Sequence, residues 1–310
     1  MTVSVVIPTR DRWEWLSRAL RSTLDQRDVE IEVIVVDDGS TDQTARRLKA
    51  VADPRIRVMR HEYSRGVAAA RNAAVAAARG EWIAFLDDDD VWAPRRLAEQ
   101  LEAIEAARAA WGWCAVVWVD ERLRLLNMVP APAPGDLRAL LRNHNAIGTP
   151  SCVVAHRDAL LSAGPFDERL SVMADWDLWI RLEATARGAV CPNVLVGYVE
   201  HRQNMHVLDP GRVERELRQL REDHSDGDPT AFNGPDLTRW LAYTHRRVGH
   251  RRAAARIYWD LARRHRSPKD LARIAMTLAE RDARRVRLRG TADEQVVERW
   301  IAPFRNAGSG

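Results

Sequence analysis

The feature that most constrains the fold of this chain is the alternation, over its first third, of short apolar runs with helical patterns. The apolar runs lie at 3–7, 31–36 and 81–86, and a further strand is expected at 55–60. Short apolar runs bounded by turn residues predict buried strands. The segments between the strands have the residue patterns of amphipathic or alanine-rich helices. Strands and helices in alternation predict a parallel sheet covered on both faces. Such sheets bind ligands beyond the carboxyl ends of their strands.

The alternation loosens after about residue 110. Further strands are expected at 113–120, 122–129, 151–156 and 194–201, and a helix at 175–186. The proline-rich segment 130–135 predicts an extended connector, and Pro94 predicts the start of a helix. From about residue 212 the pattern is helical.

Three acidic or turn motifs fall at the ends of predicted parallel strands. They are "PTRDR" at 8–12, "VDDGSTD" at 36–42 and "LDDDD" at 86–90. Four adjacent aspartates repel one another, and a divalent cation with oxygen ligands, Mg²⁺ or Mn²⁺, would relieve that repulsion. The alternative is a solvated acidic loop that caps the helix after Pro94.

Six segments, in order, carry a family resemblance: "SVVIPTRDR", "VDDGSTDQT", "RGVAAARNAA", "GEWIAFLDDDDVWAPRRL", "GPFDERL" and "ADWDLWIRL". Together they resemble the family-2 glycosyltransferases, inverting enzymes with the GT-A fold. The resemblance covers about residues 2–206 and implies transfer of a sugar from a nucleoside-diphosphate sugar to an acceptor hydroxyl.

From the resemblance we expect the chain to contain the following domains. A GT-A, Rossmann-like domain with a mostly parallel sheet flanked by helices occupies 1–211. Its nucleotide-sugar half is about 1–110 and its acceptor half about 111–211. A helical C-terminal domain occupies 212–306, and 307–310 is a disordered tail.

The resemblance assigns donor contacts to residues near the first strands. Pro8, Thr9 and Arg10 would lie along the base and ribose, and Arg71 would approach the base or the diphosphate. Asp38 would accept the N3–H of a uracil. An ionised carboxylate suits a ring with an N3–H donor. The expected donor is therefore a UDP-sugar, with a dTDP-sugar as the alternative, and both are favoured over a GDP-sugar.

The resemblance also assigns roles within the acidic run. Asp87 and Asp88 would surround the ribose and the cation, with Asp88 on the ribose. Asp89 would bind the Mn²⁺ or Mg²⁺ that bridges the diphosphate. Asp90 is expected to cap the next helix. A metal at this place neutralises charge on the departing diphosphate without a proton.

One carboxylate suffices to remove the proton of an attacking hydroxyl. The resemblance places this base at Asp175, with Asp177 as the rival. The family usually has Glu before the base, whereas this chain has Ala174, which leaves open how the acceptor is held. Trp176 and Trp179 share a helix face and are expected to pack in the core, with Trp176 as an alternative acceptor wall.

Two further segments are compared with the family. The loop 164–167, "GPFD", would lie below the donor sugar, and 149–151, "TPS", would line the sugar pocket. His201 would join the metal site, with His206 as the alternative, and 202–212 would form a lid over bound donor.

Composition bears on the competing functions. The formal net charge is +4, and arginines concentrate after residue 212. An Arg-rich nucleic-acid-binding protein is therefore an alternative, although no recognisable binding motif accompanies the arginines. A nucleotidylyltransferase is disfavoured because "IPTRDRWEW" lacks the glycine-rich loop that holds a triphosphate. A donor-binding but catalytically impaired homologue is the third alternative, because of Ala174.

Location and partners are expectations from absences and charge. No apolar run is long enough to span a membrane, and no secretory signal is recognised, so a cytoplasmic protein with reduced, buried Cys114, Cys152 and Cys191 is expected. The helical tail leaves open peripheral membrane contact and homo-oligomerisation. The acceptor is a small-molecule natural product, a glycan or a protein.

Overall fold

A computed structural model describes residues 1–201, 209–228, 231–279 and 292–305, and it forms two compact units. The first unit comprises 1–138, 146–200 and the C-terminal helix. The described residues of the second unit are 139–145, 201, 209–228 and 231–279. None of the described helices is long and apolar enough to cross a membrane.

The first unit is built on one sheet. Its strands are β1 (Thr2–Thr9), β2 (Glu30–Asp37), β3 (Ile56–Arg60), β4 (Trp82–Phe85), β5 (Val91–Trp92), β6 (Trp111–Asp120), β7 (Leu125–Val129), β8 (Val153–His156) and β9 (Gly188–Glu200). Their order is β3-β2-β1-β4-β8-β6-β9-β5, with β7 paired to β6. The four strands predicted to be parallel, β1 to β4, pair in parallel with one another. Antiparallel β8 joins them to the second half of the sheet.

Helices lie between these strands along the chain, and several of them pack against the sheet. They are α1 (Trp13–Leu24), α2 (Thr44–Lys49), α3 (Val67–Ala77), α4 (Arg96–Ala106), α5 (Pro134–Leu141), α6 (Arg157–Ala163) and α7 (Ala174–Thr185), with a 3₁₀ turn at Pro150–Cys152. The predicted start of α4 was early by two residues, because β5 and a turn come first. The predicted extended connector was too long, because Pro134 takes the first helical position of α5, where a missing N–H costs nothing.

The parallel register brings the predicted motifs to one edge. Thr9 at the end of β1 lies opposite Asp37 at the end of β2, and Val6 lies opposite Phe85 at the end of β4. Strand side chains such as Val5 and Ile34 are fully buried, as expected of a sheet covered on both faces. The polar residues that follow each strand therefore share the sheet's carboxyl edge.

The C-terminal helix α12 (Ala292–Arg305) corrects the predicted domain boundary. It was assigned to the helical domain 212–306, but it belongs to the first unit. Ile301 and Phe304 are buried, and Ile301 packs closely against β9 at Gly197, where an added Cβ would lie 3.2 Å from Ile301 Cδ1. Arg305 donates to the carbonyl of Leu123. The apolar face of α12 thus completes the first core, and the observed boundary lies after residue 200 instead of 211.

The second unit contains α8 (Pro210–His224), α9 (Pro235–Arg247), α10 (Arg251–His265) and α11 (Pro268–Leu278). Ala242, Tyr258 and Leu261 form its buried cluster, with Ile257 and Ile274 packed against them. The helical character predicted after residue 212 is confirmed for these segments. The predicted tail 307–310 lies outside the described residues.

Candidate active site at the carboxyl edge of the sheet

The four aspartates that follow β4 have different surroundings. Asp88 and Asp89 are 6% and 9% exposed, and Asp90 is fully buried, whereas Asp87 is partly exposed. The backbone turns here, since the N–H of Asp90 donates to the carbonyl of Asp87 at 3.1 Å. The run is therefore not a solvated acidic loop, and each carboxylate must be stabilised by the protein around it.

Arg12 supplies a positive charge to two of them. Its Nη1 lies 2.8 Å from Asp89 Oδ2 and 3.3 Å from Asp88 Oδ1. Thr9 Oγ1 donates to the other oxygen of Asp88, at 2.6 Å. Burial, together with the neighbouring charge of Asp89, raises the pKa of Asp88 to about 7, against the opposing effects of Arg12 and Thr9. Arg12 was not among the predicted site residues, whereas Arg10 has its side chain half exposed, 3.6 Å from Asp11.

Arg71 lies beside the first aspartate of the run. Its Nη2 donates to Asp87 Oδ1 at 2.6 Å, and its guanidinium stacks over Phe166 at 5.3 Å. Asn72, the next residue on α3, exchanges two hydrogen bonds with the backbone of Phe166, at 2.8 and 2.9 Å. The "GPFD" loop is therefore attached to α3 next to Arg71. Arg71 is a buried side chain of the site and not a helix-surface arginine.

Asp90 contradicts its predicted role as a helix cap. It lies before β5, and the N-cap of α4 is Arg95. Its Oδ2 accepts from Ser151 Oγ at 2.6 Å and Thr149 Oγ1 at 3.2 Å, and its Oδ1 accepts from the N–H of Val199. Burial, with the nearby charges of the run, raises its pKa well above the usual value. Asp90 thus joins three chain segments inside the protein.

The "TPS" segment therefore has a structural role, in addition to the predicted one of lining a sugar pocket. Besides donating to Asp90, Ser151 Oγ accepts from the N–H of Asp87 at 3.0 Å. Arg96, itself fully buried, donates to the carbonyl of Ser151 at 2.9 Å and stacks over Trp92 at 4.0 Å. This segment sets the position of the acidic run.

Asp38 organises the loop before α3. Its Oδ1 accepts from His61 Nδ1 and the N–H of Arg65, and its Oδ2 accepts from Ser64 Oγ and the N–H of Gly66, all at 2.7 to 2.9 Å. Burial opposes ionisation of this carboxyl, but these hydrogen bonds outweigh it and lower its pKa. The adjacent Gly39 has a φ of +74° and no room for a side chain against Ser64.

The two candidate bases on α7 are distinguished by their partners. Asp177 Oδ2 accepts from Arg181, at 2.5 Å from Nη2 and 3.1 Å from Nε. Arg181 also donates to the carbonyls of Gly164 and Pro165, at 3.1 and 2.9 Å. Asp177 is therefore engaged in holding the "GPFD" loop. Asp175, 7% exposed, accepts from the N–H of Trp176 at 2.8 Å in the first turn of the helix.

Both tryptophans of α7 are core residues, as expected. Trp179 is fully buried and stacks on Trp111 with ring centroids 6.2 Å apart. Trp176 is 3% exposed. The structure therefore favours the packing role of Trp176 over an acceptor wall.

The structure describes only part of the predicted histidine ligand and lid. His201 is buried and begins the second unit, where its carbonyl accepts from Arg247. His206 and most of the expected lid, 202–208, lie outside the described residues. Among the described residues, no group of three or more His, Cys, Asp or Glu is placed to hold a metal ion. Any metal here would take one or two carboxylate ligands from Asp88 and Asp89 and the rest from a ligand.

The sequence carried weak signals for the side chains that were missed. Arg12 lies two residues after the predicted Arg10 in the same motif, and a run of buried acids requires a nearby cation. The part that Ser151 plays had no local signal, because its contact with Asp90 spans 61 residues. The three cysteines are free and buried, as expected.

Comparison with known proteins identifies the family of the chain. The family model described as Glycosyl transferase family 2 matches residues 4–162. Succinoglycan biosynthesis protein ExoO of Rhizobium meliloti (strain 1021) is 34% identical over 236 residues, which cover 72% of this chain and 65% of ExoO. This chain thus spans just under two thirds of ExoO's length.

A second relative is the Escherichia coli UDP-Glc:alpha-D-GlcNAc-diphosphoundecaprenol beta-1,3-glucosyltransferase WfaP. It is 26% identical over 181 residues, covering 58% of this chain and 69% of WfaP. Among solved structures, S. aureus TarS 1-349 in complex with UDP-GlcNAc is similar, with a TM-score of 0.59 at 20% identity over 80% of this chain and 72% of that one. The structural likeness confirms the expected GT-A fold.

Proposed function

Because this chain belongs to glycosyl transferase family 2, we propose that it is a glycosyltransferase that moves the sugar of a UDP-sugar to an acceptor hydroxyl with inversion. A dTDP-sugar is the alternative donor. The observation that carries the proposal is a set of contacts at one sheet edge between motifs far apart in sequence. Thr9 reaches Asp88 across 79 residues, and Arg71 reaches Asp87.

The donor is proposed from Asp38 and from the relatives. Hydrogen bonds keep Asp38 ionised, and an ionised carboxylate accepts the N3–H of uracil or thymine. The name of WfaP gives UDP-Glc as its donor and a β linkage as its product, and TarS has been crystallised with UDP-GlcNAc. In this proposal Pro8, Thr9 and Arg10 lie along the nucleoside.

We place Mn²⁺ or Mg²⁺ at Asp89, with Asp88 beside it. The donor atoms fit, since carboxylate oxygens are the ligands that these ions take in proteins, and diphosphate oxygens complete such sites. When bound, the ion would neutralise charge on the departing nucleoside diphosphate. His201 stays a proposed ligand, argued from sequence alone.

The chain's own residues would act as follows. Arg71 and Asp87, paired in a largely buried site, would hold the nucleotide side of the donor. Asp175 would take the proton of the acceptor hydroxyl as its oxygen attacks the anomeric carbon, a contribution of about 10²–10⁴-fold. The attack occurs from the face opposite the diphosphate, so one displacement inverts the configuration and needs no covalent sugar–enzyme intermediate.

The acceptor is proposed by class only. A small-molecule natural product, a glycan or a protein fits an enzyme of this kind, and the name of WfaP adds a lipid diphosphate as its acceptor. A cytoplasmic location and self-association through the helical tail remain predictions.

The test combines donor binding with one substitution. UDP-, dTDP- and GDP-sugars are compared by thermal shift with and without Mn²⁺, and donor hydrolysis is followed for the wild type and Asp175→Asn. We expect UDP-sugars with Mn²⁺ to stabilise both proteins, and only the wild type to release UDP at an appreciable rate. Stabilisation by GDP-sugars alone would overturn the donor proposal. Equal hydrolysis by both proteins would overturn the role of Asp175, and no hydrolysis or transfer by the wild type would favour an impaired homologue.

A further inference from the structure

The outer face of α10 carries a stripe of basic residues around one tryptophan. Arg252, Arg256, Trp259 and Arg263, which we name the α10 stripe, are all exposed. At 3.6 residues per turn they fall within an arc of roughly 60° and extend over about 16 Å of helix. Trp259 is 55% exposed, more than any other tryptophan of the described residues.

The opposite face of α10 accounts for the stability of the helix without this stripe. Ala254, Tyr258 and Leu261 are buried, and Tyr258 and Leu261 belong to the cluster that joins α9, α10 and α11. The helix is thus fixed by one face and presents the other to its surroundings. Trp259 lies outside this packing, so the helix does not depend on its side chain for stability.

The charge of the stripe is not balanced by the acids of α9, α10 and α11. Between 235 and 279, Arg and Lys outnumber Asp by eleven to three, and there is no Glu. Asp236 and Asp270 are paired with Arg239, and Asp270 also with Arg273. In the described part of the chain no salt bridge joins the three arginines of the stripe to an acid, and only Asp260 lies beside them on α10.

We propose that the α10 stripe docks the protein on an anionic phospholipid surface. Arginine side chains attract anionic headgroups while their stems lie along apolar surface, and tryptophan partitions to the boundary between headgroups and acyl chains. A single tryptophan between arginines suits a planar, fluid interface. Single-stranded nucleic acid is bound by several aromatic side chains on which successive bases stack, and the stripe has only one. This surface goes beyond the transfer reaction and does not depend on it.

The experiment is vesicle flotation of the full chain. Vesicles of phosphatidylcholine alone are compared with vesicles that also contain phosphatidylglycerol, at low and high salt. We expect binding to the anionic vesicles only, weakened by salt. The variant Arg252→Gln/Arg256→Gln/Arg263→Gln should lower the partition coefficient about 100-fold. Trp259→Phe should remove quenching of tryptophan fluorescence by brominated acyl chains.

A matched control removes the same charge elsewhere. Arg46, Arg122 and Arg187 are exposed in the first unit. Their triple change to Gln lowers the net charge by the same amount, and it should leave vesicle binding within about twofold, because we expect the stripe itself and not the net charge to make the contact. Equal losses in both triple variants, or no preference for anionic vesicles, would overturn the proposal. Stripe-dependent binding of single-stranded poly(U) without vesicle binding would also overturn it. Donor hydrolysis should be unchanged in the stripe variant, so this result stands apart from the test of the transfer reaction.

Discussion

Arg12 Nη1 lies 2.8 Å from Asp89 Oδ2, with Asp88 Oδ1 3.3 Å from the same nitrogen. One guanidinium therefore compensates two carboxylates that are almost completely buried. Burying a carboxylate without a compensating charge costs free energy. Arg12 supplies this pair with positive charge, as a cation does in a metal site.

From this pairing we expect Arg12→Gln to destabilise the protein by about 1–3 kcal/mol, since it removes the positive charge beside two buried carboxylates. Mn²⁺ should then raise the melting temperature of the variant more than that of the wild type, because the ion no longer competes with Arg12 for Asp89. Thermal unfolding with and without Mn²⁺, and without donor, measures both effects. Arg10→Gln is the control, since Arg10 is half exposed and paired only weakly with Asp11. An equal response of the Arg12 variant and the wild type to Mn²⁺ would contradict this expectation.

The partners of Asp177 predict a loss of stability and not of chemistry. Asp177→Asn removes the ion pair with Arg181 and should cost about 1–3 kcal/mol. Sugar transfer should fall less than tenfold, against about 10²–10⁴-fold for Asp175→Asn. Urea unfolding and initial rates separate the two variants. A double change with Arg181→Gln should be less than additive in stability. If Asp177→Asn abolished transfer while the fold was unaffected, the base would have to be reassigned.

Ser151 predicts that a buried hydroxyl affects donor binding at a distance. Ser151→Ala removes the donor to Asp90 and the acceptor for the N–H of Asp87, and should cost about 1–3 kcal/mol. Because Asp87 then moves relative to Arg71, we expect KM for the donor to rise by several-fold. Ser17→Ala is the control, since that hydroxyl only returns to the carbonyl of Glu14 on the surface. Unchanged KM and stability in Ser151→Ala would refute this positioning role.

Asp270 predicts an acid-sensitive contribution from the helical unit. Burial opposes its ionisation, but hydrogen bonds from Arg239, Ser267 and Arg273 outweigh this and lower its pKa from 3.8 to about 2. Its folded pKa lies below its unfolded value, so its stabilisation is present above about pH 4 and is lost as the pH falls toward 2. The shift corresponds to about 2 kcal/mol.

The measurement for Asp270 is urea unfolding of wild type and Asp270→Asn followed by helical circular dichroism. We expect the variant to be less stable at neutral pH and the difference to become small near pH 2, where Asp270 is about half protonated in the folded protein and almost fully protonated in the unfolded chain. Asp236→Asn, which removes an exposed contact with the same Arg239, should have a small effect at either pH. A difference that did not depend on pH would show that the carboxylate's charge is not the cause.

Much of the framework follows from local pattern. The apolar runs that became β1, β2 and β4 indicate their burial directly, and the alternation of strands with helices implies a parallel sheet. The motif residues Thr9, Asp38, Arg71 and Asp87 were therefore expected at one edge, and that is where the structure has them. The same reasoning could not place α12, because an amphipathic helix shows which of its faces is apolar and not which core that face will cover.

What the sequence determined by itself was the parallel sheet, the position of the acidic run at its edge and the presence of acids that need a cation. Tertiary structure alone decided which side chains meet them: Arg12 at Asp89 and Ser151 at Asp90. Periodicity encodes burial, which is a property of single residues and their near neighbours. A contact between residues 61 or 77 positions apart depends on strand order and register, and only the folded sheet sets these.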